Sequence, residues 1–235
     1  MQTLSRLTAS ALVSLAFLSA SPAFAEAPSE DPAAEFWAPE RSFPRWIGLS
    51  VRGGYLMPGG RMDASEPPIY LYEVYKGLFS AILEPTLRLG SHVELGPWVQ
   101  LSYVQMRLQC SANEECPGSN LRYGFQANYH WHMANRYSPW AGLSVGYEKT
   151  SFSLPDVEAT YSGLDLTLQA GFDRNLIGPF WAGLFLSGTV GKYGTLKLEG
   201  PSVSGEGSIR ERTVHVWIGF GFRLRVAAPL VADKR

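Results

Sequence analysis

Charge is scarce in this sequence. Asp, Glu, Lys and Arg make up 17% of its 235 residues, where soluble domains carry about 25%. The two signs nearly cancel, with 20 basic against 21 acidic residues, so nothing favours a nucleic acid as partner. Long apolar runs are scarcer still. Beyond residue 25 no stretch of ~18 continuous apolar residues occurs, which excludes a transmembrane helix. Cysteine is limited to Cys110 and Cys116, and neither lies near the N-terminus, which argues against a lipid-modified start.

What is present begins with an export signal. Arg6 gives a short positive region, residues 9–18 are largely apolar, and Ala23-Phe24-Ala25 is a small-residue cleavage pattern. The mature chain is therefore expected to begin at Glu26. Without Arg6 its balance is 19 basic against 21 acidic residues. Residues 26–45 carry five acidic residues and Pro28, Pro32, Pro39 and Pro44. They read as an acidic, Pro-rich periplasmic lead-in rather than a domain.

From Trp46 onward the dominant signal is a period of two. In residues 213–226, Val214, Val216, Ile218, Phe220, Phe222 and Leu224 alternate with His215, Trp217, Gly219, Gly221 and Arg223. A β-strand sends such residues to opposite faces, one apolar and one small or polar. The same alternation predicts strands near 46–56, 78–89, 93–106, 121–132, 140–148, 161–172 and 180–192. Met57-Pro58-Gly59-Gly60 is expected to end the first, and Pro85 to demand a bulge in the second. That makes eight strands, with links alternating long and short. The pattern suits short periplasmic turns, longer outer loops and a periplasmic N-terminus. Pro44-Arg45-Trp46, Pro97-Trp98, Pro139-Trp140 and Pro179-Phe180-Trp181 mark an internal repeat, one hairpin per period. These Trp residues either form an interfacial girdle or point inward and plug the lower rim.

A soluble eight-stranded barrel would need a Lys/Glu/Thr-rich exterior. Here the non-apolar face is rich in Gly and Ser, which suits a narrow packed interior instead. The reading is an all-β fold, an eight-stranded antiparallel up-and-down transmembrane β-barrel over residues 46–226, with a tail at 227–235. On the signal segment, the eight alternating segments, the loop asymmetry and the final 214–222 alternation, the chain resembles the small outer-membrane β-barrel superfamily. The resemblance is to the OmpX-like proteins and the membrane domain of OmpA. It implies a Gram-negative cell outer membrane, contact with outer-membrane lipid and insertion by the barrel assembly machinery. Members of that superfamily usually end on an aromatic residue. Here Val226 is followed by Ala227–Arg235, and the resemblance is not expected to extend to a peptidoglycan-anchoring role.

Candidate chemistry falls into four places. The inward set includes Arg52, Glu84, Arg88, Glu94, Arg122, Glu148, Asp165 and Arg223. It reads as a salt-bridged interior, with a proton or ion path as the alternative. His130 and His132 share a face about 7 Å apart. A metal would need a third ligand, Glu94 being the nearest guess, and no metal is expected. Cys110 and Cys116 enclose five residues and are expected to form a loop disulfide in an exported protein. Tyr70, Tyr72 and Tyr75 crowd the first outer loop, either as a sticky binding surface or as a hairpin extending the barrel. A resemblance to lipid A deacylases would require His-x-Ser, and none of His92, His130, His132 or His215 is followed that way.

The functional expectation is a monomer without cofactor or catalytic residue. It would have an envelope-structural role or bind a surface ligand through its outer loops. A narrow porin-like pore for small solutes or ions and a lipid-modifying enzyme are the alternatives.

Overall fold

The alternation at the C-terminal end is a strand, β11 (Val214–Pro229), and it pairs antiparallel with β1 (Trp46–Gly60) over the full length of β1. That seam closes a barrel. The computed structural model describes residues 46–61, 69–90, 92–107, 109–111, 114–115, 118–131, 136–154, 157–201, 204–209 and 214–229. The expected signal segment, the lead-in and the residues after Pro229 lie outside them, as does Cys116 and with it the expected disulfide to Cys110.

Between the two closing strands come β2 (Tyr75–Leu89), β3 (Val93–Met106), the short hairpin β4 (Gln109–Ser111) and β5 (Glu114–Glu115), then β6 (Gly118–His130), β7 (Tyr137–Leu154), β8 (Val157–Ile177), β9 (Phe180–Glu199) and β10 (Ser204–Ser208). Eight of these form the wall, in the order β1-β2-β3-β6-β7-β8-β9-β11, each antiparallel to its chain neighbours. The fold is an eight-stranded up-and-down barrel with its apolar face outward. Leu49, Phe79, Leu101, Phe125, Val145, Leu166, Leu186 and Phe220 are all exposed. On β9 that apolar exterior runs from Phe180 to Val190, ten residue steps. At ~3.3 Å per residue and a tilt of about 40°, it covers about 25 Å, the height of a membrane-facing belt. Tyr129, Trp131, Tyr137 and Phe172 cluster at its lower edge, where Arg174 lies over the Tyr137 ring.

Several boundaries differ from those expected. Met57–Gly60 do not end β1, because Pro58 and Gly60 stay paired with Trp217 and His215 of the closing strand. Pro85 causes no bulge. The register is the same at Leu83↔Val99 and Leu87↔Leu95, and the ladder between β2 and β3 lapses where Pro85 stands opposite Pro97. Two prolines facing each other leave no donor to mismatch. The loop expected after Glu148 is a hairpin of β7 and β8, paired up to Leu154↔Val157. The turn expected at 173–179 shrinks to Gly178-Pro179, with Gly178 at φ +53, a left-handed value that glycine tolerates. The last outer loop contains β10, which pairs with β9 above the barrel. The strand expected to stop at Val226 continues to Pro229.

The outer end is closed by an apolar cap. A single turn, α1 (Leu71–Val74), places Leu71 and Val74 against Leu78, Met106, Phe152 and Trp217. Tyr75, expected in an exposed loop, is instead fully buried here, 5.9 Å from the Trp217 ring. It begins β2, where a bulge between Tyr75 and Gly77 breaks the alternation and turns it inward opposite Met106. Tyr72 is exposed and Tyr70 partly so, the two rings stacking at 5.4 Å.

The filled lumen as candidate functional site

Inward parity places ten charged side chains in one column: Arg52, Arg88, Arg122, Arg223 and Arg225 with Glu84, Glu94, Glu148, Asp165 and Asp173. Five of each sign makes the described lumen electrically neutral. Eight belong to the set expected from the sequence. Asp173 and Arg225 do not: Asp173 lies just past the strand end expected at 172, and Arg225 lies inside the strand expected over 213–226, one alternation step after Arg223. Continuing the period of two would have found them.

The lower group is organised around Glu94. Arg223 Nη2 donates to Glu94 Oε1 at 2.9 Å, Arg225 is ion-paired with Glu94, and Arg88 Nη2 lies 3.9 Å from it. His130 Nε2 lies 3.7 Å away, and His130 Nδ1 is 3.1 Å from Ser138 Oγ. The structure thus brings His130 and Glu94 together, while His132 lies outside the described residues. Among those residues no group of three His, Cys, Asp or Glu is arranged to hold a metal ion. Arg223 also donates to Asp173 at 3.3 Å and Ser50 at 3.0 Å. Arg52 pairs with Glu84 and donates to Gln169 at 2.6 Å, and Gln169 donates on to Gln126 and Asn128.

The upper group differs in kind. Arg122 holds Asp165 in a two-pronged pair, Nε to Oδ2 at 3.1 Å and Nη2 to Oδ1 at 2.9 Å. Such a fork fits the guanidinium's planar donors. Glu148 Oε1 accepts from Asn120, Thr150, Tyr193 and Trp217 Nε1 at 2.8–3.2 Å. His215 Nε2 is 2.9 Å from Glu148 Oε2 and stacks on Tyr193 at 4.1 Å. Buried charge is tolerated best when it is paired and its remaining sites are hydrogen-bonded. The upper charges meet both conditions, whereas the lower ones are paired but leave Arg52 Nε, Arg223 Nε, Arg225 Nε and Asp173 Oδ1 without a hydrogen-bond partner.

Aromatic rings lie against the arginines. Arg223 lies 4.8 Å from the Trp140 ring, Arg122 5.4 Å from Trp98 and Arg52 4.9 Å from Phe185. These are cation–π distances. Trp98 and Trp140 of the Pro-Trp repeat therefore face the lumen. Gly146 makes room for Trp98, since a Cβ there would stand 2.7 Å from the ring. Between the two charged layers remains a cavity of about 20 Å³ lined by Arg52, Gln100, Arg122 and Gln169. That volume holds about one water molecule.

No family model matches this chain, and no curated protein matches it. Solved structures do. OprG from Pseudomonas aeruginosa aligns over 78% of this chain and 96% of its own, at 15% identity and a TM-score of 0.45. Ail of Yersinia pestis, solved with a heparin analogue, aligns over 77% and 99% at 15% identity and 0.42. Neisserial surface protein A aligns over 77% and 96% at 12% identity and 0.41. In fold, the chain is similar to the small outer-membrane β-barrels.

Proposed function

We propose that this protein is a closed outer-membrane barrel, exported with its first 25 residues removed, whose role is structural or surface-binding and non-enzymatic. The observation that carries the reading is the filled lumen. Among the described residues two charged layers and an apolar cap fill the barrel, and the cavity between the layers has room for about one water. A wide diffusion pore needs more strands than eight, and an ion path needs a connected wet column. The neutral balance of the lumen favours neither cation nor anion passage. Contact with other molecules is left to the outside, where Tyr72 and the hairpins above the belt are exposed.

Planar-bilayer recording on protein that shows a heat-modifiable gel shift tests this. The expected result is a quiet membrane at concentrations where a porin gives steps. Reproducible unitary steps, altered by Glu84→Ala or Arg88→Ala, would replace the closed barrel with the pore.

A further inference from the structure

We propose that the outer surface of β8 and β9 carries a binding site for the phosphate headgroup of an outer-leaflet lipid, a proposal that rests on the membrane-spanning reading above. Three observations place it. First, the wall changes partners there. β9 pairs with β11 through Lys192 and with β10 from Thr195 onward, and the β8–β9 register slips by one residue between Ser162 and Gly163. The step leaves a cleft of about 580 Å³ on the barrel surface, lined by Leu164, Leu166, Val190, Lys192, Thr195 and Ser208.

Second, the cleft is divided by polarity along its height. Leu164, Leu166 and Val190 belong to the upper apolar belt, and Leu164 is 72% exposed. Lys192 is the next outward residue above Val190 on β9, and Thr195 and Ser208 add hydroxyls above it. An acyl chain lies along the leucines while its headgroup reaches the lysine and the hydroxyls. Cations just beyond the apolar boundary attract anionic headgroups in this way.

Third, the lysine has no counter-charge among the described residues. Lys197, higher on β9, donates to Glu199 at 2.6 Å. Among the described residues Lys192 and Lys149 form no ion pair. Asp165, the nearest carboxylate by register, turns inward to Arg122. Lys149 is exposed on β7, one row higher and two strands away, opposite Ser162 and then Thr195. At ~4.8 Å per strand it stands about 10 Å to the side, so a headgroup bearing more than one phosphate meets a second cation.

The test uses full-length mature protein in phosphatidylcholine nanodiscs, with lipid A added as the bis-phosphorylated probe and dephosphorylated lipid A as its control. Retained lipid is counted by native mass spectrometry, and lysine acylation is mapped by peptide analysis. Lipid A is expected to be retained over its dephosphorylated form and to protect Lys192 from acylation. Lys192→Gln should weaken retention about fivefold, Lys149→Gln should weaken it by less, and Lys197→Gln should leave it unchanged. Equal retention of both lipid forms by inserted wild-type protein would overturn the site, as would undiminished retention by Lys192→Gln. Failure of the wild-type protein to insert into nanodiscs at all would overturn the membrane reading beneath it, a distinguishable outcome.

Discussion

The two layers of the lumen solve the same problem with opposite materials. Glu94 sits among arginines, with Arg223 and Arg225 paired to it, Arg88 close by and the His130 imidazole 3.7 Å away. Glu148 sits among neutral donors, Asn120, Thr150, Tyr193 and Trp217, with one imidazole. The lower layer holds four arginines against three carboxylates. The upper holds one arginine against two. Each layer alone is one charge out of balance, and the balance closes only over the whole column. The lower layer is therefore held by Coulomb attraction, and the upper by hydrogen-bond saturation. They should fail differently.

The sharpest way to break the comparison is Glu94→Ala. It leaves Arg225 buried without its carboxylate and Arg223 with Asp173 and Glu84 alone, a loss of about 3–5 kcal/mol. Urea unfolding in detergent micelles should show a large drop in midpoint, or the heat-modifiable form should disappear. Tyr75→Ala, which empties the cap, should cost about 3–5 kcal/mol by the same assay. It should also give the first measurable water access from the outer end. Glu148→Gln keeps the shape and changes only the charge, so about 1–3 kcal/mol is expected. A Glu148 result as large as that for Glu94 would erase the distinction between the layers. At the small end, Tyr72→Ala should shift stability by less than about 0.5 kcal/mol, since Tyr72 is half exposed and outside both layers.

Much of the wall was legible because a barrel with an apolar exterior and a packed polar lumen imposes a strict period of two on each strand. β3 shows this fully, since its expected and observed limits coincide at Val93 and Met106. The parts above the apolar belt were not legible. Lys149–Leu154 and Val157–Ser162 continue the wall with Lys149, Ser151, Ser153 and Ser162 on the outward face, so the contrast that marks a strand fades while the ladder persists. Tyr75 was misplaced for a related reason. A cluster of tyrosines reads as surface, and only the pairing of β2 with β3 shows that Tyr75 lies under the cap. Within the lumen, parity assigned which charges turn inward but not their partners. Arg122 and Asp165 lie on strands separated by β7, and what joins them is the register of two ladders, which the turns set.

The seam between β1 and β11 has a consequence for assembly. Trp46 and Pro229 are direct neighbours across it, so the first strand cannot complete its pairing until the last has been made and delivered. Every earlier intermediate is an open sheet with a bare edge at each side, and its inward arginines lack some of their carboxylates. Contacts of such long sequence separation form slowly, and exposed edges invite pairing with the wrong chain. The order of synthesis thus sets the order of closure, and both edges stay open until residue 229 arrives.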